Sequence, residues 1–394
     1  MPEVSLVQCE SYDAELIRQA LERGIKPLGG WGKFLKPGQK VLLKVNLIGP
    51  VPPQQAATTH PELVRALIRI CREQGCEVWV GDSAGGAIAG MAPTAKALKV
   101  AGFETVAAEE GAKLINFDQA GAREVPSRTG RFVKSFFLAK PVLDADVVIN
   151  LPKFKAHSAA IYTGAVKNVF GCIPGLRKAE YHRLAPGPED FGEIIADIHL
   201  ACGVKLNIMD AVIGMEGAGP TAGQARQLGY LLLSQDALAM DAVAIGMLGL
   251  KVQDVPILAQ AARLGVGEAN LEKIRLSGDY EKLPQITDFK LPAARRRGGS
   301  GFVLKSIIKF FKVRPKIDPK RCKNCQTCVD SCPVKAIDSR TKLIDYTKCI
   351  ECLCCHELCL HRAVDLRRDN PAARLVLPLA ARAHRNKSAA VRQK

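Results

Sequence analysis

Two rhythms of apolar and polar positions alternate along the first three quarters of this 394-residue chain. Short apolar runs at Val4 to Val7, Val41 to Val45, Val78 to Val80, Val147 to Leu151, Leu206 to Met209 and Tyr230 to Leu233 predict buried strands. Between them, Glu15 to Glu22, Pro61 to Gln74, Thr94 to Ala101 and Ala237 to Leu248 place apolar side chains at helical spacing. Strands that alternate with helices predict an α/β domain with a large, mostly parallel sheet covered on both faces. Arg131 to Leu138 is expected to add a strand at an edge. The rhythm breaks at Arg295-Arg296-Arg297-Gly298-Gly299-Ser300-Gly301, where like charges and glycines read as a linker.

Beyond the break the pattern is set by cysteine. Nine of the fourteen cysteines lie between Cys322 and Cys359, and they spell one spacing twice. The first run is Cys322-x2-Cys325-x2-Cys328-x3-Cys332-Pro333, and the second is Cys349-x2-Cys352-x2-Cys355-x3-Cys359-Leu360. This is the ligand spacing of a small α+β, bacterial-ferredoxin-like domain with two [4Fe–4S] clusters, in which the last cysteine of each run ligates the other cluster. Cluster one is expected on Cys322, Cys325, Cys328 and Cys359, and cluster two on Cys349, Cys352, Cys355 and Cys332. Zinc sites favour two pairs separated by a longer spacer. Disulfides would need an oxidising compartment, and the opening Met1-Pro2-Glu3 has no export signal, so the expectation is a cytoplasmic protein. Leu360 replaces the second proline of the pattern, and Cys354 is an extra thiol, read as buried and not as a ligand.

The expected organisation is an α/β domain over 1–294, a basic linker and amphipathic helix over 295–312, the cluster domain over 313–370 and a basic, disordered tail over 371–394. The helix expectation rests on Leu304, Ile307, Ile308 and Phe311, with lysines towards another side. Charge follows the same division. Of 56 Lys+Arg and 39 Asp+Glu, 24 and 8 fall between Arg295 and Lys394, so the body is nearly neutral and +16 of the net +17 sits at the end. Such an end attracts acidic partners, first an acidic redox protein, then an anionic membrane surface, or it merely solubilises. Nothing resembles a specific nucleic-acid module. No apolar stretch reaches the roughly 18 residues of a transmembrane segment.

In the body, polar residues collect where strands end, which in open α/β sheets is where ligands bind. Asn46, Asp82, Ser83, Asn168 and Asp210 are candidates for binding a substrate or anion. Asp236 reads as a helix cap. The densest segment, Leu151-Pro152-Lys153-Phe154-Lys155-Ala156-His157 and Gly164-Ala165-Val166-Lys167-Asn168, offers Lys153, His157 and Lys167 as candidate catalytic groups. Ammonium groups supply charge for an anion, and a histidine exchanges protons near neutrality. The plainer alternative is a solvated basic loop. Gly81-Asp82-Ser83-Ala84-Gly85-Gly86 could cradle a phosphate or carboxylate but matches neither the P-loop nor the dinucleotide fingerprint. Cys172, between apolar neighbours, reads as a small buried hydrophobe.

With these residues assembled, the chain resembles the domain-of-unknown-function family 362 proteins that carry a C-terminal ferredoxin domain. The matching pieces are Lys44-Val45-Asn46, His60-Pro61, Gly81-Asp82-Ser83, Leu151 to His157, Gly164 to Asn168, Asp210-Ala211 and Cys354 to Cys359. The resemblance extends to about residue 370 and implies an iron–sulfur electron-transfer protein whose large domain has no assigned reaction. Two expectations follow. Either the body is a redox-linked enzyme acting on a small anionic substrate, or the protein is a non-catalytic electron carrier or docking platform for an acidic redox partner.

Overall fold

The computed structural model describes residues 1–86, 93–292 and 313–368. The expected linker and amphipathic helix over 295–312, and the expected tail over 371–394, lie outside the described residues. The strands, in chain order, are β1 (Glu3–Gln8), β2 (Lys40–Lys44), β3 (Glu77–Asp82), β4 (Lys113–Asn116), β5 (Ala122–Pro126), β6 (Ser135–Ala139), β7 (Val147–Asn150), β8 (Lys153–His157), β9 (Ile161–Thr163), β10 (Leu206–Glu216), β11 (Gln224–Ser234), β12 (Arg275–Gly278), β13 (Val313–Ile317) and β14 (Val364–Arg368).

Ten of these form one sheet in the order β12-β1-β11-β10-β7-β2-β3-β4, with β8 and β9 continuing from β10. Its parallel pairings outnumber its antiparallel ones, which are confined to β1–β11, β10–β11 and β8–β9. The sheet is therefore mostly parallel and the fold is α/β. The antiparallel hairpin of β10 and β11 departs from a simple strand–helix alternation, and it has two eleven-residue strands. The expected edge strand forms elsewhere: Ser135 to Ala139 pairs with β5 in a separate two-stranded ribbon.

Strand alternation sends successive side chains to opposite faces. Val41, Leu43, Val78 and Val80 join a core with the helices Ala14–Ile25 and Pro61–Glu73. Leu42, Trp79, Val148 and Met209 join the core on the other side, with the helices Pro188–Cys202 and Ala237–Gly246. Asp236 caps the last of these, accepting from the Ala239 amide at 2.8 Å. Cys172 is fully buried in this second core.

The small C-terminal domain repeats itself in three dimensions. Strands β13 and β14 pair antiparallel, and one-turn helices lie at Thr327–Asp330 and Cys354–Glu357, at matching positions in the two cysteine runs. Left-handed backbone recurs at Asn324, Gln326 and Lys335, and again at Glu351, Leu353 and Arg362, each 27 residues on. The Ala336 amide donates to the Cys332 sulfur and the Ala363 amide to the Cys359 sulfur, both at 3.2 Å.

Candidate functional site

The helix Cys354–Glu357 is also where the cluster domain meets the body. Thr221 Oγ1 donates to the Glu357 carbonyl at 2.6 Å, and His356 Nε2 lies 3.1 Å from Ser158 Oγ. Leu358 packs on the loop after β3. A Cβ on Gly86 would come within 2.9 Å of Leu358 Cδ1, and on Gly85 within 3.1 Å of Cδ2. The glycines weighed as a phosphate cradle therefore make room for the docked domain. Gly86, at φ +81°, also needs the left-handed region that glycine enters without cost.

Under this junction, at the carboxyl ends of β2, β3 and β7, lies a chamber of about 230 Å3. Asn46, Asp82, Ser83, Asn168, His157 and Lys167 from the expected set line it, together with Lys155, Lys178, Cys354 and Glu357. The strand ends position these groups by hydrogen bonding to one another. Lys44 donates to Asp82 Oδ2 at 2.9 Å, to the Val45 carbonyl at 2.7 Å and to the Asn168 carbonyl at 3.1 Å. Asn46 donates to Asn168 Oδ1 at 2.8 Å, and Asn168 donates to Asn150 Oδ1 at 2.7 Å. Gly171 is required where it is, since a Cβ there would meet Asp82 Oδ1 at 2.0 Å. Asp241 accepts from the Ala165 and Val166 amides at 2.8 and 2.9 Å, fixing the turn that presents Lys167.

Lys153 and Asp210 do not reach the chamber. Lys153 Nζ lies 2.7 Å from Asp210 Oδ2 and donates to Tyr12 Oη at 2.8 Å. Tyr12 donates to Asp210 Oδ1 at 2.7 Å and stacks on His60 with ring centroids 3.5 Å apart. Strict alternation would put Lys153, Lys155 and His157 on one face of β8. The β8–β10 ladder breaks register between Lys153, opposite Asp210, and Lys155, opposite Met215, and this break separates the two lysines.

Within the chamber, Lys155 donates to Asn46 Oδ1 at 2.7 Å and to the Ala57 carbonyl at 2.6 Å. Burial, reinforced by Lys167 and Lys153, holds it well below the ordinary lysine range. Lys178 is occupied by the Ser83 carbonyl at 3.0 Å, Ser83 Oγ and the Ala84 carbonyl at 3.1 Å, and burial lowers it to about 8. Lys167 has no hydrogen bond or ion pair among the described residues. Part of its surface is accessible, yet protein encloses it, because that surface opens into the chamber. Burial lowers its pKa while Glu357 opposes the shift.

His157 is 2% exposed, and its Nδ1 accepts from the Ala160 amide at 3.1 Å. Burial, then Lys167 and Lys155, holds it far below the usual histidine range, so the ring is neutral with its proton on Nε2. That Nε2 has no hydrogen-bond partner and lies 3.6 Å from Glu357 Oε1. Burial pushes Glu357 up to about 7 against the pull of Lys167 and Lys155. The chamber thus presents one enclosed, unpaired ammonium, one unpaired ring N–H and one carboxyl group, with its other polar atoms largely matched within the protein.

The cysteine runs meet across the small domain. The Cys328 thiol lies within electrostatic reach of Cys359 as well as of Cys325 and Cys322. Cys349 lies within reach of Cys332 and Cys352, and Cys355 of Cys352, Cys328, Cys349 and Cys332. Among the described residues no three such side chains converge on a single metal ion, whereas a cubane distributes its thiolates over four irons. Left-handed residues in both runs and amides directed at Cys332 and Cys359 form backbone concavities of the kind that receive iron–sulfur groups. The donor set fits such a group. Cys354, next in sequence to Cys355, is buried and lines the chamber.

The match described as Domain of unknown function (DUF362) covers residues 41–246, and that described as 4Fe-4S dicluster domain covers residues 314–360. The chain belongs to the DUF362 family. This DUF362 protein is an iron–sulfur protein by its second match. It is 34% identical over 329 residues to a thylakoid-associated protein of Synechocystis, across 79% of this chain and 95% of that one. Among solved structures it resembles the lactate racemase apoprotein of Thermoanaerobacterium thermosaccharolyticum, with a TM-score of 0.36 and 12% identity, over 56% of this chain and 53% of the other. It also resembles a Thermotoga maritima protein, with a TM-score of 0.38 and 12% identity, over 66% of this chain and 60% of the other. No helix among its described residues is long and apolar enough to cross a membrane.

Sequence reasoning passed over three chamber residues as site candidates. Lys155 had the alternation of β8 as a signal. Lys178 sits among other charged residues of the helix Arg177–Leu184 and carried none. Glu357 lay inside the cysteine run, where the thiols drew all the attention.

Proposed function

We propose that this DUF362 protein is a redox enzyme acting on a small anionic molecule held in the chamber, with two [4Fe–4S] clusters in the small domain. Cys322, Cys325, Cys328 and Cys359 hold one, and Cys349, Cys352, Cys355 and Cys332 the other. When bound, such clusters supply electrons one at a time. The residues of the chain do the rest. Lys167 attracts the anion in a setting where low polarity strengthens the attraction, His157 presents its Nε2 proton to it, and the docked helix Cys354–Glu357 walls one side of the chamber. The observation that carries this reading is that one chamber is walled both by the strand ends of the body and by Cys354 and Glu357, which neighbour Cys355.

Iron analysis of anaerobically purified protein tests the cluster content, with about eight irons and matching labile sulfide expected per chain. Stoichiometric zinc without sulfide would reject it. Cys332→Ser should damage the cluster of the second run and spare that of the first, as read by electron paramagnetic resonance. Loss of the first-run signal instead would overturn the exchange of ligands.

A second reading, a carrier that docks an acidic redox protein, is favoured by the exposure of Cys325. It suits the basic C-terminal part, and it places the protein in the cytoplasm or, as its thylakoid-associated relative suggests, at a membrane face. Here electron transfer to a partner would fall steeply with ionic strength, while added small anions would leave the cluster spectra unchanged.

A further inference from the structure

We infer that the chamber ligand is a small monocarboxylate with a short apolar body, its carboxylate held by Lys167 and the Nε2–H of His157. This deepens the proposed function and rests on the chamber being a ligand site.

The inference comes from counting which donors remain. Lys44 and Lys178 each use three N–H groups on protein acceptors. Lys153 is sealed away with Asp210. Lys155 uses two N–H groups and keeps one. Among the described lysines lining the chamber only Lys167 keeps all three, and His157 Nε2 is buried without a partner. His157 Nε2 lies 3.6 Å from Glu357 Oε1 and Lys167 is within electrostatic reach of the same carboxyl, so the free donors sit at one end of the chamber, beside the cluster domain.

Charge then limits the ligand. Lys44 is balanced by Asp82, and Lys178 by Asp118, which accepts from Ser83 beside it. His157 and His182 are neutral, both held low chiefly by burial. Asp330 is exposed at the rim. The unmatched Lys167 ammonium and His157 Nε2–H sit together at one end, which suits a ligand with a single anionic end; a second carboxylate would fall where, among the described residues, no other fully free ammonium lines the chamber.

The lining points the same way. Among the described residues it contains no arginine, the side chain best suited to phosphate. Leu47, Ile48, Phe170, Leu176 and Leu358 supply apolar wall for a short hydrocarbon portion.

Calorimetric titration of the full-length holoprotein with propionate, succinate and inorganic phosphate tests this. Propionate should bind at least tenfold more tightly than the other two, and Lys167→Gln should weaken it at least tenfold, with partial recovery in Lys167→Arg. Phosphate or succinate binding as tightly as propionate, and weakened by Lys167→Gln, would overturn the monocarboxylate while leaving the chamber a ligand site. Failure of all three to bind would overturn the inference and the chamber reading together. Propionate binding indifferent to Lys167→Gln would overturn the placement. If the Lys167 variants do not fold, the comparison of the three anions on the wild type still decides the class.

Discussion

Two lysines of the same segment, both enclosed by protein, meet opposite fates. Lys153 ends in a sealed centre where Asp210, Tyr12 and the His60 backbone match one another. Lys167 ends in a chamber where nothing in the described protein receives its protons. Burying an ammonium costs several kcal/mol unless charge or hydrogen bonds compensate. The sealed centre compensates within the fold and so reads as architecture. The chamber leaves compensation to whatever enters it. A buried lysine is therefore weak evidence of a site by itself; the unmatched donor is the stronger sign.

The largest expected effect breaks the sealed centre. Asp210→Ala would strand Lys153 together with the Tyr12 hydroxyl and the His60 amide, so chemical denaturation should show a loss of about 3–5 kcal/mol. A loss below about 1 kcal/mol would mean the pair is not a structural unit.

The next effect is pH-dependent and belongs to the same centre. Burial lowers His60 from 6.5 to about 4. Its folded pKa is depressed, so its contribution is present above about pH 6.5 and is lost as pH falls towards 4, the unfolded chain binding the proton more readily. Allowing for partial exposure, this amounts to about 2 kcal/mol. Denaturation at pH 6.5 and 4.5 should show that loss in the wild type and a smaller one in His60→Gln. Equal losses would assign the acid sensitivity to other groups.

The contrast also shows what was legible in the sequence. The 4Fe-4S domain was, because its cysteines fall in two closely spaced runs and local spacing reports such chemistry. The sheet was, because buried strands stay apolar on both faces. The fates of Lys153 and Lys155 were not, since a register break on a partner strand more than fifty residues away decides which of them faces the chamber. Glu357 and Lys178 were not, because they join the chamber only when the cluster domain and the helix Arg177–Leu184 dock over it. Spacing along the chain reports chemistry that is local, whereas a chamber assembled at strand ends appears only after folding.

The smallest expected change in stability sharpens the comparison most. Lys167→Met keeps length and apolar volume and removes only the unmatched ammonium. Because that group has no partner to strand, the substitution should leave the unfolding free energy within about 1 kcal/mol of wild type, or raise it by relieving the cost of burial. The opposite holds for ligand response: the thermal stabilisation given by propionate should disappear. Asp210→Ala should show the reverse pattern, a large stability loss with the propionate response retained in the protein that remains folded. If Lys167→Met instead destabilises as severely as Asp210→Ala, the ammonium has a structural partner after all, and the chamber becomes a second sealed centre.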